Sequence, residues 1–169
     1  MIPLPKLLCH VPIIYLTGDK VKKPEDRYAF ILVSDEPRWN RLRDCAKTKS
    51  GTNVFIRKNV VGPKYGQKLL FYVKKPDAQI RGLADFVERL VGNSQTLWDE
   101  VGGESCFDSF DEYKTFIDGR ENATFVRFTN LRVLEVPIPG MVFNDRAGFP
   151  WSPRGGKYLS LKEFSALGL

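Results

Sequence analysis

Apolar residues along this chain fall into short runs that predict β-strands separated by turns. The runs occupy residues 28–33, 54–57, 68–74 and 123–136. Enrichment in β-branched and aromatic residues, bounded by glycine and proline, is typical of strands. The second and third runs lead into the basic pairs Arg57-Lys58 and Lys74-Lys75, which indicates cations where the sheet meets its loops. Lysines at strand ends also protect sheet edges, so both interpretations stay open.

Capping signals predict where helices begin. Residues 34–37 combine a capping side chain with a first-turn proline, which starts a helix that runs to about Ala46. Ser109 and Ser160 are each followed three residues later by glutamate, the capping-box pattern. Residues 93–98 fit a short helix with its cap at Asn93-Ser94. Trp39 lies on the apolar stripe of the first helix and is assigned to the core rather than to a stacking surface.

Residues 78–91 fit two patterns at once. Leu83, Phe86 and Leu90 recur at helical spacing. The alternation of residues 80–86 fits a strand instead, and Gly82 would weaken a helix. The pattern alone does not decide between the two.

Residues 140–157 combine glycine, proline, arginine and aromatic residues and are predicted to form a loop. Within it, Trp151 and Arg154 could hold a nucleobase by stacking and by a cationic contact. Aromatic residues in proline-rich loops also plug the ends of barrels, so Phe149 and Trp151 have a structural alternative.

Composition fits one packed domain, alone or with an extension, because the chain has 169 residues of which 43% are apolar. No apolar run approaches the length of a membrane span, and the N-terminus lacks the pattern of a signal peptide. We therefore expect a cytoplasmic protein that has no membrane partner. The scattered Cys9, Cys45 and Cys106 argue against a disulfide framework and against zinc sites of ordinary spacing.

The formal net charge of +6 favours a polyanionic partner. Residues 38–75 carry eleven lysines and arginines against a single acid, Asp44, whereas residues 85–121 are rich in acids. This asymmetry predicts one basic face.

Familiar catalytic patterns are absent from the sequence. The single histidine, His10, follows Cys9, and on a strand the two side chains would point to opposite faces. No dinucleotide fingerprint, phosphate-binding loop or nucleophile elbow occurs. We therefore expect no cofactor and no metal.

The order of these segments resembles the PUA-like superfamily, and within it the ASCH-type domains and related uncharacterised archaeal proteins. The matching segments, in chain order, read AFILVSDEP, GTNVFIR, PKYGQKLLFYVKKP, IRGLADF, LWDEVGG, DSFDEYKTFIDG, EVPIP and YLSLKEF. They cover roughly residues 28–165. This division predicts a domain of residues 28–169 with residues 1–27 as an N-terminal extension that packs on it.

The resemblance implies an α+β fold, a PUA-like mixed β-barrel with peripheral helices, in which residues 80–86 form a strand. Gly82 then fits a bend of the barrel. The family's usual pocket lies where the helix after the first strand meets the strand that ends in arginine. Carried over to this chain, that position points to Ser34, Arg57 and Lys58.

Some ASCH-type proteins are amidohydrolases of acetylated cytidine that use a lysine, a threonine and a glutamate. In this sequence Asn53 and Phe55 stand where that lysine and glutamate are expected, and only Thr52 matches. The amidohydrolase activity is therefore not the expectation for this chain.

The leading hypothesis is a nucleic-acid-binding module with a basic and aromatic cleft that takes RNA, in preference to DNA, or a modified nucleobase. One alternative is a small nucleoside-modifying enzyme of the amidohydrolase type, with Lys58 as a weak catalytic candidate. The other is a protein-interaction domain. The predicted ligand contacts are Ser34, Arg57, Lys58, Lys64, Lys74, Trp151 and Arg154.

Overall fold

The computed structural model describes residues 24–147 and 155–169. Two short 3-10 turns, Pro24–Arg27 and Gly102–Glu104, accompany six strands and five helices within these residues. The strands are β1 (Ala29–Ser34), β2 (Asn53–Arg57), β3 (Lys68–Val73), β4 (Gln79–Asn93), β5 (Asn122–Pro139) and β6 (Lys157–Leu159). The helices are α1 (Glu36–Thr48), α2 (Ser94–Val101), α3 (Phe110–Ile117), α4 (Gly140–Ala147) and α5 (Leu161–Ser165).

All six strands belong to one mixed sheet with the order β2-β5-β4-β3-β1-β6. The β1–β3 pair is parallel and the other neighbours are antiparallel. This arrangement confirms the α+β class and the prediction that residues 54–57, 68–74 and 123–135 belong to one sheet. Within the described residues β2 and β6 do not pair, so the sheet is not closed into a barrel.

The ambiguous segment is strand β4, which confirms the strand interpretation of residues 80–86. The register against β3 and β5 shifts at several points along it. A Cβ atom on Gly82 would lie 2.3 Å from the ring of Trp39, which is itself only 2% exposed. Gly82 is thus required by the close approach of a helix side chain, and Trp39 is a core residue as predicted.

The predicted helix starts are confirmed. Asp35 caps α1 by accepting a hydrogen bond from the backbone N–H of Arg38. Ser160 forms a full capping box with Glu163. Ser109 caps α3, but its expected box is only half formed, because Glu112 accepts from the N–H of Asp108 instead.

Two boundaries differ from the sequence prediction. Residues 140–147, expected in a loop, form α4, which the fully buried Phe143 attaches to the core. Strand β5 also continues past Pro137, the residue expected to end it. Strand β2 pairs only with residues 124–128 of β5, so the later residues of β5 have no partner from β2 on that edge. Proline is tolerated at such an edge.

The core divides into three apolar clusters that the curved sheet connects. The cluster beneath α1 contains Trp39, Leu42, Phe55 and Phe71, and the neighbouring one joins β2 to α2 and α3 through Tyr113. Helices α1 and α3 therefore pack near β2. Among residues 24–147 and 155–169, no helix has the length and apolar character needed to cross a membrane.

Candidate nucleic-acid interface

A cavity of about 400 Å³ lies between α1, β2 and α3. Its floor is apolar, with Leu42 from α1 and Phe55 and Ile56 from β2. This is the place where the resemblance to ASCH-type domains put the pocket, at the contact between the first long helix and the arginine-ending strand. The remaining walls include Arg38, Arg41, Cys106, Phe107, Glu112 and Phe116.

Arg38 is held in place by groups on three sides. Its guanidinium carbon lies 4.4 Å from the centre of the Phe55 ring and 4.8 Å from that of Phe116. Its Nη2 donates to the carbonyl oxygen of Ile56 at 2.5 Å. Burial lowers the pKa of Arg38 to about 10, with Asp35 opposing the shift and the nearby Arg57 adding to it. Arg38 still carries its charge at neutral pH.

Arg57 does not line the cavity but follows Ile56, which does, and its guanidinium is incompletely satisfied. Its Nη1 is buried and has no hydrogen-bond partner within the described part of the chain. Burial lowers the pKa of Arg57, which shows that this cation is desolvated without a compensating acid. A buried donor left in this way has a free-energy cost that a bound anion would relieve.

Lys58 follows directly and points its ammonium at the same aromatic ring. The Nζ of Lys58 lies 5.0 Å from the centre of the Phe116 ring, which is the ring that also contacts Arg38. Contacts of this kind between cations and rings hold charged side chains in a defined position without neutralising them. Two positive charges, those of Arg38 and Lys58, are thereby held against one phenylalanine.

The acid on the cavity wall, Glu112, is already engaged. It accepts from the backbone N–H of Asp108 at 2.9 Å and forms an ion pair with Arg41. These two interactions, the backbone one foremost, lower the pKa of Glu112. Arg41 also lies 3.3 Å from a carboxylate oxygen of Asp108. Glu112 therefore offsets Arg41 and leaves the charge of Arg57 and Lys58 available.

The predicted site residues do not all meet at this cavity. Arg57 and Lys58 do not line it but adjoin two residues that do, Ile56 and Phe116. Ser34 is buried and donates its hydroxyl to the carbonyl of Asp35. The backbone N–H of Lys74 donates to the carbonyl of Ser34, so these two residues are neighbours of each other. The backbone N–H of Lys64 donates to the phenol oxygen of Tyr158 at 2.7 Å.

The basic ends of β2 and β3 are also not adjacent in the sheet. Strands β5 and β4 lie between β2 and β3, so Arg57-Lys58 and Lys74-Lys75 end strands that are not neighbours. Trp151 and Arg154, together with Phe149, fall outside the described residues. The proposed contact between the aromatic loop and a base therefore stays a prediction.

The expected single basic face is divided by ion pairs. Lys68 is paired with Asp85 at 2.5 Å, and Arg41 with acids of the segment 85–121. The basic and the acidic segment thus contact each other in the fold. What is left unpaired at the cavity is a smaller group, Arg38, Arg57 and Lys58, with no ion pair among the described residues.

Sequence reasoning missed Arg38 and Phe116. Arg38 immediately precedes the core residue Trp39 in α1, and it reaches the backbone of a strand eighteen positions away. Phe116 had a signal that could have been used. It is an aromatic residue of α3 outside the buried pair Tyr113 and Ile117.

The arrangement can bind an anion but shows no metal site. Across residues 24–147 and 155–169, no group of three histidine, cysteine or acidic residues could hold a metal ion. Guanidinium and ammonium groups beside an apolar floor suit a ligand that joins a negative charge to a flat or apolar body.

Comparisons with known proteins identify the fold. No family model matches the chain, and no curated protein matches it. The crystal structure of ASCH from Zymomonas mobilis has a TM-score of 0.67 at 20% identity and covers 85% of this chain and 95% of its own. A hypothetical protein from Leishmania major has a TM-score of 0.51 at 19% identity, with 86% of this chain and 94% of that chain covered.

Human THYN1 in complex with 5-methylcytosine containing DNA matches with a TM-score of 0.46 at 14% identity, over 82% of this chain and 94% of that one. That similarity is too low to carry an inference for the present chain. The Zymomonas match shows that this protein has the ASCH-type, PUA-like fold.

Proposed function

We propose that this chain is a nucleic-acid-binding module that receives a nucleotide at the cavity between α1, β2 and α3. The observation that carries the proposal is the buried, unpartnered Nη1 of Arg57 beside a second desolvated guanidinium, Arg38. Asp35 acts on Arg38, but no acid acts on Arg57, so the desolvation of Arg57 is costly in the free protein. An anionic ligand supplies the missing charge and hydrogen-bond acceptor.

A phosphate-bearing ligand fits the remaining features. Phosphate oxygens accept several hydrogen bonds from guanidinium groups, often two from one arginine. Lys58, held against Phe116, adds a third cation. The net charge of +6 favours approach of a polyanion over long distances.

The apolar floor supports the choice of a nucleotide over a simple anion. Leu42, Phe55 and Ile56 form its buried base, and the half-buried rings of Phe107 and Phe116 offer a surface for a base or sugar. The volume of about 400 Å³ falls in the size range of small-ligand sites. Proteins that read RNA commonly take unstacked bases from single strands. For this reason we favour RNA over DNA, with a modified nucleobase as the related possibility.

Other predicted features extend this proposal. Lys64, Lys74, Trp151 and Arg154 are proposed to contact the strand outside the cavity, where they would follow the backbone or cover a base. The division into residues 1–27 and 28–169 and the cytoplasmic location belong to the same proposal. Ser34 is proposed to act only by positioning the start of α1, because its hydroxyl is already bonded.

The test is a binding titration with fluorescein-labelled single-stranded RNA, single-stranded DNA and duplex DNA of equal length, measured by anisotropy at several salt concentrations. Binding should weaken as salt rises, with the logarithmic slope changing by about 0.7–0.9 for each phosphate that is neutralised. RNA should bind more tightly than DNA of the same sequence.

Lys58→Ala and Lys162→Ala form the matched pair for this titration. Lys162 is an exposed lysine of α5, a helix that packs through Phe164 in a different part of the core. Lys58→Ala should lower the slope by about one contact, and Lys162→Ala should leave it unchanged. Equal effects of the two variants would indicate only general attraction of a basic protein, and absence of binding at low salt would contradict the proposal.

A further inference from the structure

Two cysteines far apart in the sequence meet at the wall of the cavity. Cys45 lies near the end of α1, and Cys106 lies between the 3-10 turn Gly102–Glu104 and α3. Both are half-buried free thiols, and Cys106 lines the cavity. Arg41 and Lys49, four positions to either side of Cys45, both contact the segment 103–108 that contains Cys106.

The backbone around Cys106 is attached to α1 on both sides of this contact. On one side, Lys49 Nζ donates to the carbonyl oxygen of Ser105 at 2.6 Å and to that of Gly103 at 3.0 Å. On the other side, Arg41 is paired with Asp108 at 3.3 Å. Lys49 and Arg41 are each four positions from Cys45, so these contacts hold the segment of Cys106 against the part of α1 that carries Cys45.

We propose that Cys45 and Cys106 are a redox modification site, at which a low-molecular-weight disulfide such as oxidised glutathione converts the two thiols to an intramolecular disulfide. Glutathione keeps cytoplasmic thiols reduced under ordinary conditions, so the bond would form when the oxidised pool rises. Formation is reversible by excess thiol.

The reaction proceeds by two exchanges. The Cys45 thiolate attacks one sulfur of oxidised glutathione, the glutathione S–S bond breaks, and the leaving thiolate takes up a proton. Cys106 then loses its proton to solvent and attacks the Cys45 sulfur of the mixed disulfide, which releases the second glutathione as a thiolate that is protonated in turn. Two protein thiols are oxidised and one glutathione disulfide is reduced to two thiols.

The order of attack follows from the environments of the sulfurs. Burial raises the pKa of the Cys106 thiol, so this residue remains protonated near neutral pH and reacts second. Its position against Cys45 makes the second step intramolecular.

Oxidation should also alter the cavity. A disulfide brings the sulfur atoms to about 2 Å, closer than any non-bonded contact, and draws the segment of Cys106 and Phe107 toward α1. This consequence rests on the proposed function, because it is read through ligand binding. The narrower cavity should then hold nucleic acid less tightly.

The experiment uses the full chain with Cys9→Ser, which removes the third cysteine as a competing partner. The folded protein is incubated with oxidised glutathione, quenched with maleimide, and analysed by intact mass and non-reducing peptide mapping. We expect the loss of two hydrogen atoms, a peptide joining Cys45 to Cys106, and full reversal by dithiothreitol. A rise in melting temperature on the order of 5 °C should accompany the bond, as expected for a long closed loop.

Cys45→Ser and Cys106→Ser, each in the same background, should form no such bond and show no change in melting temperature. Disulfides only between molecules, only mixed disulfides with glutathione, or a joined peptide that appears only after denaturation would overturn the proposal.

Binding of labelled single-stranded RNA to the oxidised and reduced forms is measured separately. A rise in Kd on oxidation that dithiothreitol reverses would support the effect on the cavity, and equal binding of the two forms would contradict it. If neither form binds RNA, the proposed function fails while the peptide map still decides the disulfide.

Discussion

Arg57 and Arg127 lie on neighbouring strands, β2 and β5, yet their guanidinium groups have opposite surroundings. Arg127 donates from Nε and Nη2 to the two carboxylate oxygens of Glu104 at 2.7 and 2.6 Å, and its Nη1 donates to Glu88. Arg57 has a buried Nη1 that no described group accepts from. The hydrogen bonds that Arg127 donates to Glu104 raise the pKa of Arg127, whereas burial lowers that of Arg57.

The difference separates a structural arginine from a binding one. Arg127 links β5 to β4 and to the turn Gly102–Glu104, and its charge is matched by two acids. Arg57 has lost water without gaining an acid, so its arrangement is complete only with a ligand. Both residues are arginines of paired strands, and the acids contributed by other segments make the distinction.

The largest effect is expected for Arg127→Met. The change leaves Glu88 and Glu104 facing each other without their shared partner, and it should lower the free energy of unfolding by about 1–3 kcal/mol, since the network is only partly exposed. Chemical denaturation measures this loss. Arg132→Met, at an exposed position of the same strand, is the control. Equal stability of the two variants would contradict the structural role assigned to Arg127.

Arg57→Met should have the reverse profile. Binding of single-stranded RNA should weaken about tenfold, which corresponds to about 1.4 kcal/mol, because a buried charge-assisted hydrogen bond to the ligand is lost. Stability should remain or rise, because an uncompensated buried charge is removed. Anisotropy titrations and thermal melting on the same preparation test both parts. If Arg57→Met lowers stability but leaves RNA binding unchanged, Arg57 is a structural residue like Arg127.

Glu112→Gln should sharpen the contrast by making the cavity more positive. With Glu112 neutral, Arg41 keeps only the exposed Asp108 as an acid partner and adds more to the field of Arg57. RNA binding should therefore strengthen about threefold, a typical size for an exposed charge. Glu100→Gln, on an exposed face of α2, is the matched control and should change little. Unchanged binding by Glu112→Gln would mean that the acid does not face the ligand.

The same glutamate gives a pH dependence with a defined sign. Because the pKa of Glu112 is lowered from 4.5 in the fold, its carboxylate stays ionised above that value. Its stabilising contribution is present there and is lost as the pH falls through the lowered pKa. The affinity of the wild-type protein for RNA should therefore be constant from about pH 8 to about pH 5. Throughout this range it should stay below the affinity of Glu112→Gln.

The smallest effect is expected for Lys64→Ala. Lys64 is exposed and lies near Tyr158 rather than at the cavity. If it contacts the strand, the logarithmic salt slope should fall by about 0.7–0.9 and all sequences should be weakened alike. A change in preference between sequences would show that Lys64 reads a base and would extend the binding surface beyond the cavity.

Local signals in the sequence predicted the frame of the fold well. Asp35, Ser109 and Ser160 begin helices through hydrogen bonds to residues three positions away, so the pattern contains the whole interaction. Helix α4 was missed because it starts at a glycine without a capping side chain and is fixed by the burial of Phe143, a contact that depends on the finished core.

The candidate site was predicted only in part for the same reason. Arg57 and Lys58 were found because they end a recognisable strand. The role of Arg38 arises from rings of β2 and α3 that come together only in the fold, and the pairing of Arg41 with Glu112 spans 71 positions. Periodicity along one element does not contain these contacts between elements.

The contact between Trp39 and Gly82 couples the position of α1 to the geometry of the cavity. The missing side chain at position 82 lets the indole rest directly against the backbone of β4, and the next residue along the chain from Trp39 toward the N-terminus is Arg38. Any side chain at position 82 would clash with the indole of Trp39, so α1 would have to move away from β4 at this contact. This displacement of α1 would also move the guanidinium of Arg38 between Phe55 and Phe116. A substitution at Gly82, in the middle of the sheet, would therefore change the affinity for a ligand at the cavity.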